Sequence, residues 1–373
     1  MLKLIFWLCI LFILYGYFGY PFLISFLAKI RPKLIKKGDC FPTVTLIIPA
    51  YNEEKVIQDK IQNCLSLDYP KDKLEIVVAS DGSTDRTSEL VRQYLSQGVS
   101  LLEYHSREGK ISLLNKCVPC ARNEIIAFSD ASGMLDKDSL KELVRNFNDP
   151  KVGCACGLYI IVMEENSLSA RGYHAYIEYD VNIKKSESRF STILGAHGAF
   201  YAIRKELFEP FPQGLINDDF FLPMKVVAKG YRVVYEEKAV VTDKMRYSFR
   251  EEFRRRTRIG FGNWQQIFKL KELLGFSRGL VAWQFFSHKV IRTIAPLCFI
   301  FTFILTFILT GLIYNIFFWL FVLLFSFTLI GALLQLMKFP TRFIYLPFFL
   351  VMANIAYLVG AFKFFFQPKK LRW

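Results

Sequence analysis

The sequence predicts an α/β domain with a mostly parallel sheet and flanking helices. This domain is embedded between transmembrane helices, one N-terminal and two or three C-terminal. Three observations predict it. Short β-branched runs alternate with segments of helical periodicity, the pattern of βαβ units. Polar, mostly acidic clusters follow those runs directly. Charge-free apolar stretches, long enough to cross roughly 30 Å of hydrocarbon, stand near both ends of the chain.

In chain order, Leu4 to Ala28 carry no charge. A secretory signal would have a shorter apolar core and a small-residue cleavage site, and none follows Ser25-Phe26-Leu27-Ala28. Lys29, Arg31, Lys33, Lys36 and Lys37 come next, so the positive-inside rule places the following region in the cytoplasm. Val44 to Ile48 reads as a strand ended by Pro49, with a helix expected to open at Asn52-Glu53-Glu54. Leu74 to Ala79 reads as a second strand, followed by Ser80-Asp81-Gly82-Ser83-Thr84-Asp85 and then Leu90, Val91, Tyr94 and Leu95 at helical spacing. Glu124 to Ser129 is a third, closing on Asp130. No charge falls between Ile294 and Met337, which is too long for one span, and Gly311 to Asn315 offers a turn between two helices. In the run Phe343 to Phe366, Pro347 and Asn354 leave open whether it spans or re-enters. Three full spans would put Lys369, Lys370 and Arg372 outside, against the charge rule. The expected divisions are an anchor over 1–37, a cytosolic domain over 38–245, interfacial amphipathic helices over 246–292 and a transmembrane region over 293–373.

The chain has 48 Lys+Arg against 33 Asp+Glu, a net +15, with 53% hydrophobic residues. That hydrophobicity excludes disorder, and 21 Gly with 8 Cys exclude collagen-like and disulfide-scaffold classes. The basic residues gather beside the apolar runs, where anionic lipid attracts them. A bilayer is therefore the expected partner, and nucleic acid is not. Cys117-Val118-Pro119-Cys120 and the Cys154/Cys156 pair lack a matching zinc knuckle or a thioredoxin-like turn, so they read as reduced thiols in the core. His105, His174 and His288 form no ligand spacing.

The strand ends carry the chemistry. Ligands of parallel sheets bind at the carboxyl ends of the strands, where Asn52, Glu53, Asp81 and Asp130 fall. No glycine-rich dinucleotide loop or Walker A sequence is present. Carboxylates there can accept from a nucleobase N–H or a ribose hydroxyl, or hold Mg2+ or Mn2+ against a diphosphate. Asp85, which precedes a helix, reads instead as its cap.

The order Pro49-Ala50-Tyr51-Asn52-Glu53, Ser80-Asp81-Gly82-Ser83-Thr84-Asp85, Gly109-Lys110 and Phe128-Ser129-Asp130-Ala131-Ser132 resembles the inverting family 2 glycosyltransferases. So do Gly195-Ala196-His197-Gly198-Ala199, Asn217-Asp218-Asp219 and the Arg254 to Arg258 stretch. The resemblance is to their membrane-embedded branch of cellulose, hyaluronan and poly-N-acetylglucosamine synthases. It implies a GT-A-like fold, a Mg2+ or Mn2+ cofactor and a place in the bacterial inner membrane. It also implies site roles. Ala50, Tyr51, Glu53 and Asp81 would meet the base and ribose of a nucleotide sugar, expected to be UDP-linked. Lys110 would lie near the diphosphate or the acceptor. Asp130 would hold the metal or the ribose, with Ser132 beside it. Asp219, next to Asp218, would be the general base, and His197 and Gly198 would meet the acceptor. Arg255 and Arg258 would neutralise the leaving diphosphate.

Physics supports those roles. Inverting transfer needs one carboxylate to take the hydroxyl's proton, and charge stabilisation for the leaving nucleotide. Close approach of Asp218 and Asp219 would raise the pKa of the base. The same two residues would serve equally as the first turn of a helix. Two positions depart from the family pattern. Ser132 stands where relatives often have a second Asp, and Ile259 replaces the tryptophan that stacks on an acceptor sugar in polymerising relatives. Transfer of one or a few sugars to a glycan or lipid-linked acceptor is thus as compatible as processive synthesis. A polyprenyl-phosphate sugar synthase and a non-catalytic sugar-nucleotide-binding subunit remain alternatives.

Overall fold

The computed structural model describes residues 1–39, 41–163, 168–245, 249–337 and 345–367, with the side chains of 163–176 left aside. Lys369, Lys370 and Arg372 lie outside the described residues. The chain divides into an α/β unit, Arg31–Val162 with Lys184–Met245, and a helical unit, Met1–Ile30 with Met163–Ile183 and Arg246–Trp373.

The α/β unit is built on one eight-stranded sheet. Its strands are β1 (Val44–Ala50), β2 (Leu74–Asp81), β3 (Val99–Tyr104), β4 (Ile125–Ser129), β5 (Met134–Leu135), β6 (Val152–Met163), β7 (Phe200–Arg204) and β8 (Arg232–Met245). Their spatial order is β3-β2-β1-β4-β7-β6-β8-β5. β1 runs parallel to β2, from Val44 beside Leu74 to Ala50 beside Ser80, and parallel to β4 on its other edge. β3 continues the parallel half. The pairings of β4 with β7, β7 with β6 and β8 with β5 are antiparallel. The sheet is therefore mixed, parallel in its N-terminal half and antiparallel in these pairs.

Burial explains why the parallel half was the readable one. Val44, Leu46, Ile47, Ile48, Ile76, Val78, Ile125 and Ile126 are buried, because helices cover both faces of such strands and the sequence becomes a continuous apolar run. The chain steps from β1 outward to β2 and β3, then returns to the other side of β1 as β4. That reversal opens a crevice at the carboxyl ends of β1 and β4.

The helix expected at Asn52 begins only at Ile57 and runs to Leu65. Asn52 takes a φ of 55°, outside the helical region, and residues 52–54 bond to the loop after β2 instead of to a first turn.

In the helical unit, Leu2–Ile30, Leu280–Ile308, Leu312–Leu334 and Pro347–Phe366 are helices long and apolar enough to cross a membrane. The expected boundary at 292/293 falls inside the continuous Leu280–Ile308 helix. The break between the next two helices comes at Leu309 to Gly311, where Gly311 has a φ of 132°, and Asn315 already sits in the following helix. The Phe249–Lys269 helix packs on Tyr345–Phe366 at two glycines. A Cβ on Gly360 would stand 2.4 Å from Thr257 O, and one on Gly260 2.8 Å from Tyr357 Cα. Small residues allow such close approach of helix backbones.

Candidate active site

Two loops are laced together at the end of the parallel sheet. The Glu53 amide donates to Thr87 Oγ1 at 2.8 Å, and the Glu54 amide to Asp85 Oδ2 at 3.1 Å. The Thr84 amide donates to Asn52 Oδ1 at 2.8 Å. Asp85 also accepts from the Thr87 amide at 3.0 Å, just before the Thr87–Arg92 helix, whose N-cap position is taken by Arg86 instead. The lacing holds Tyr51 and Glu53 at the crevice. The Arg107 guanidinium stands 4.1 Å over the Tyr51 ring, a cation–π contact.

Asp81 ends β2 and is buried. Its two oxygens accept from the Glu108 amide at 2.9 Å and the Gly109 amide at 2.8 Å. These bonds fix the turn that starts the Lys110–Cys120 helix, where Gly109 has a φ of 93°. Lys110 is thereby aimed at the acids. Its Nζ lies 2.9 Å from Asp130 Oδ1 and 3.6 Å from Asp218 Oδ2. Burial works against its charge, but Asp130, Asp218 and Asp219 outweigh burial and keep the ammonium protonated well above its ordinary range.

Asp218 and Asp219 open the Asp218–Ala228 helix, so they do form its first turn. Asp219 is pushed up to about 6 by burial first and by Asp218 second, with Lys110 opposing. The loop before β7 is tied to this helix by the Ala196 amide donating to Asp219 O at 2.7 Å. Gly198 then faces the carboxylate: a Cβ there would meet Asp219 Oδ2 at 3.1 Å. The His197 amide donates to Cys156 Sγ at 3.0 Å, and its ring packs at 6.1 Å from Tyr159 and 5.8 Å from Tyr235.

A cavity of about 320 Å³ lies at this crevice. Ala50, Tyr51, Glu53, Asp81, Lys110, Asp130 and Ser132 all line it, together with Pro49, Leu113 and Ala131. These are the donor-side positions singled out from the sequence, apart from the two arginines. Glu53 is raised from its ordinary range by burial and by the charges of Asp130, Asp85 and Asp243.

Residues 45–211 match the family model described as Glycosyl transferase family 2. The chain carries a family 2 glycosyltransferase domain. A probable glycosyltransferase of Bacillus subtilis (strain 168), YdaM, is 27% identical over 258 residues, which is 64% of this chain and 61% of that one. The poly-beta-1,6-N-acetyl-D-glucosamine synthase of Staphylococcus aureus (strain COL) is 29% identical over 227 residues, 58% of this chain and 54% of that one. The chain thus spans less than two thirds of the length of these relatives. Among solved structures, a mannosyltransferase from Pyrobaculum calidifontis in complex with GDP-Man and Mn2+ is similar over 98% of this chain and 99% of its own. The TM-score is 0.72 at 23% identity, and the likeness establishes the GT-A fold.

The glycosyltransferase domain as matched ends before Asp218 and Asp219, although the structure ties Asp218 to Lys110 within the α/β unit. Arg255 and Arg258 stand on Phe249–Lys269 in the helical unit, where Arg255 Nε donates to Glu252 Oε2 at 2.9 Å. Their neighbour Arg256 is buried, bonding Glu252 Oε1 at 2.7 Å and Tyr357 Oη at 3.3 Å, an anchoring use of the arginine-rich stretch. Of the Cys-x-x-Cys pair, Cys117 is buried and Cys120 exposed; Cys154 and Cys156 are buried thiols.

Sequence reasoning missed three side chains here. Asp243 on β8 accepts from Ser132 Oγ at 3.1 Å and from Tyr159 Oη at 3.2 Å. Tyr201 is wholly buried, its phenol pushed up by burial and then by Asp218 and Asp219. Lys60 is also wholly buried. Only Lys60 left a trace in the sequence: it occupies an apolar-face position between Ile57, Ile61 and Cys64 at helical spacing.

Proposed function

We propose that this chain is a membrane-anchored inverting glycosyltransferase that moves a sugar from a nucleotide-sugar donor, UDP-linked in our reading, to a glycan or lipid-linked acceptor. The observation that carries it is one cavity lined by seven expected donor residues, with Lys110 joining Asp130 on that cavity to Asp218 beside the base. Tyr51, Glu53 and Asp81 receive the base and ribose. Lys110 meets the diphosphate as a fixed positive charge. Asp219 in its ionised form takes the proton of the acceptor hydroxyl as that oxygen attacks the anomeric carbon. The bond to the diphosphate breaks on the opposite face, the configuration inverts, and the nucleoside diphosphate leaves. Gly198 and His197, against Asp219, border the acceptor. Arg255 and Arg258 would assist the leaving group. The apolar helices seat the protein in a plasma membrane with the α/β unit on the cytoplasmic side, where nucleotide sugars are supplied.

The residues fit a hard divalent cation, Mg2+ or Mn2+, since the Asp130 carboxylate lines the cavity and Asp243 accepts from Ser132, which also lines it. Among the described residues no three His, Cys, Asp or Glu side chains converge as a cation site, so donor phosphate oxygens would complete the coordination. When bound, such an ion supplies charge neutralisation for the departing diphosphate.

The test is nucleoside diphosphate release by the purified full chain in detergent, supplied with UDP- and GDP-sugars and Mn2+ or Mg2+. Asp219→Asn is expected to cut turnover by at least about 100-fold while donor affinity holds, as for loss of a positioned base. Turnover retained in that variant removes Asp219 from the role.

A further inference from the structure

Lys60 is an expensive residue in its place. It is fully buried on the Ile57–Leu65 helix, among Ile57, Ile61 and Cys64. An apolar side chain would fill that position without removing a charge from water. What the lysine adds is directed donors. Its Nζ donates to Ser129 Oγ at 2.7 Å and also to the Gly133 carbonyl oxygen. Those two residues bracket Asp130-Ala131-Ser132, the turn that lines the cavity.

One position-triplet further along the same helix face, Asn63 continues the grip. Its Nδ2 donates to Leu135 O at 2.8 Å, and its Oδ1 accepts from the Leu135 amide at 2.8 Å. Lys60 and Asn63 thus hold the whole segment from Ser129 to Leu135 against one helix. The turn is also tied on its other side, where Ser129 Oγ donates to Ala199 O at 3.1 Å and the Asp130 amide donates to the same oxygen at 3.3 Å. Burial lowers the proton affinity of this amine, and Cys64, Asp130 and Asp243 oppose it.

We propose that Lys60 is a positioning residue for the donor: it clamps the Ser129–Gly133 turn so that Asp130 presents its carboxylate to the diphosphate and its divalent cation. This rests on the donor reading above. Groups that orient a metal-facing carboxylate without touching the ion typically alter metal affinity by about 10–100-fold, whereas a merely structural lysine would move all binding together or none.

The experiment measures calorimetric affinities of the full chain in detergent for UDP and for GDP, each with Mn2+ and with EDTA. Lys60→Met is expected to weaken Mn2+-dependent nucleotide binding by about tenfold or more while leaving the metal-free affinity within about twofold. Equal loss in both conditions, or no loss in either, overturns the proposal. Ser129→Ala removes one acceptor of the clamp without touching Lys60, and about a threefold loss confined to the Mn2+ arm is expected for one hydrogen bond. If Lys60→Met does not fold and Ser129→Ala binds as the wild type does, the proposal is likewise overturned. A wild-type chain that binds neither nucleotide, or binds with no response to Mn2+, overturns the donor or cation reading itself, an outcome separate from the Lys60 result.

Discussion

Gly198 leaves room for a carboxylate. A methyl group there would meet Asp219 Oδ2 at 3.1 Å and Asp219 Cβ at 3.4 Å, tighter than the oxygen tolerates without shifting. Since displacement of a reacting group by about 1 Å costs on the order of 100-fold in rate and this methyl asks for a few tenths of that, Gly198→Ala is expected to lower turnover by about 3–10-fold with donor affinity unchanged. Steady-state kinetics with separate donor titration would check this. The same carboxylate sets a pH dependence. Only its ionised form accepts a proton, and burial with Asp218 pushes its pKa up to about 6. The turnover rate per donor encounter should therefore be level above about pH 7 and fall tenfold per pH unit below about 6. Asp219→Glu should move that limb, and an unmoved limb would assign it to another group.

Among the elements, the parallel strands were legible because double-sided burial writes a continuous β-branched run, as in Val44–Ile48 and Leu74–Ala79. The helix start was not. Asn52-Glu53-Glu54 has the composition of an acidic first turn, yet its amides and side chains serve a loop some thirty residues away. Local composition cannot distinguish those two uses. β6, β7 and β8 escaped notice because their burial depends on partners distant in sequence. For the same reason Asp243 was invisible as a site residue while Asp81 and Asp130, fixed by strand ends, were not, and Lys60 showed only as a charge on an apolar helix face. The laced loops make a prediction. Thr87 Oγ1 accepts from the Glu53 amide at 2.8 Å and donates to Asp85 Oδ1 at 2.6 Å, fully buried. Thr87→Val leaves the Glu53 amide without its acceptor, while Asp85 Oδ1 keeps the bond from the residue-87 amide, which should cost about 1–3 kcal/mol and weaken metal-free nucleotide binding, read by thermal melting and calorimetry.

At the scale of the whole molecule, the composition divides between the two units. The apolar excess sits in the helices Leu2–Ile30, Leu280–Ile308, Leu312–Leu334 and Pro347–Phe366. The α/β unit that carries the cavity has the charge pattern of an ordinary soluble domain. Four apolar helices of this length make peripheral, salt-sensitive attachment untenable. The chain should therefore stay in the membrane fraction after alkaline carbonate and high-salt washes and leave it only with detergent. Release by salt alone would contradict that reading. The placement of apolar helices near both ends was legible from charge-free length, with two or three left open at the C-terminal side, but the Gly260 and Gly360 crossing was not, since two glycines in a sequence do not announce that they meet.

Lys110 is shared between Asp130 on the cavity side and Asp218 beside the base, and its charge is one of the influences that hold Asp219 down. A diphosphate arriving at Lys110 spends that charge elsewhere. Under the proposed roles the proton affinity of Asp219 would rise while donor is bound and drop once the nucleotide departs, so that the captured proton would be discharged with the leaving product. The acidic limb of kcat is accordingly expected at higher pH than that of kcat/KM for the donor, and coincident limbs would show that Lys110 does not carry this timing. A single lysine would in that way reset the base in step with each turnover.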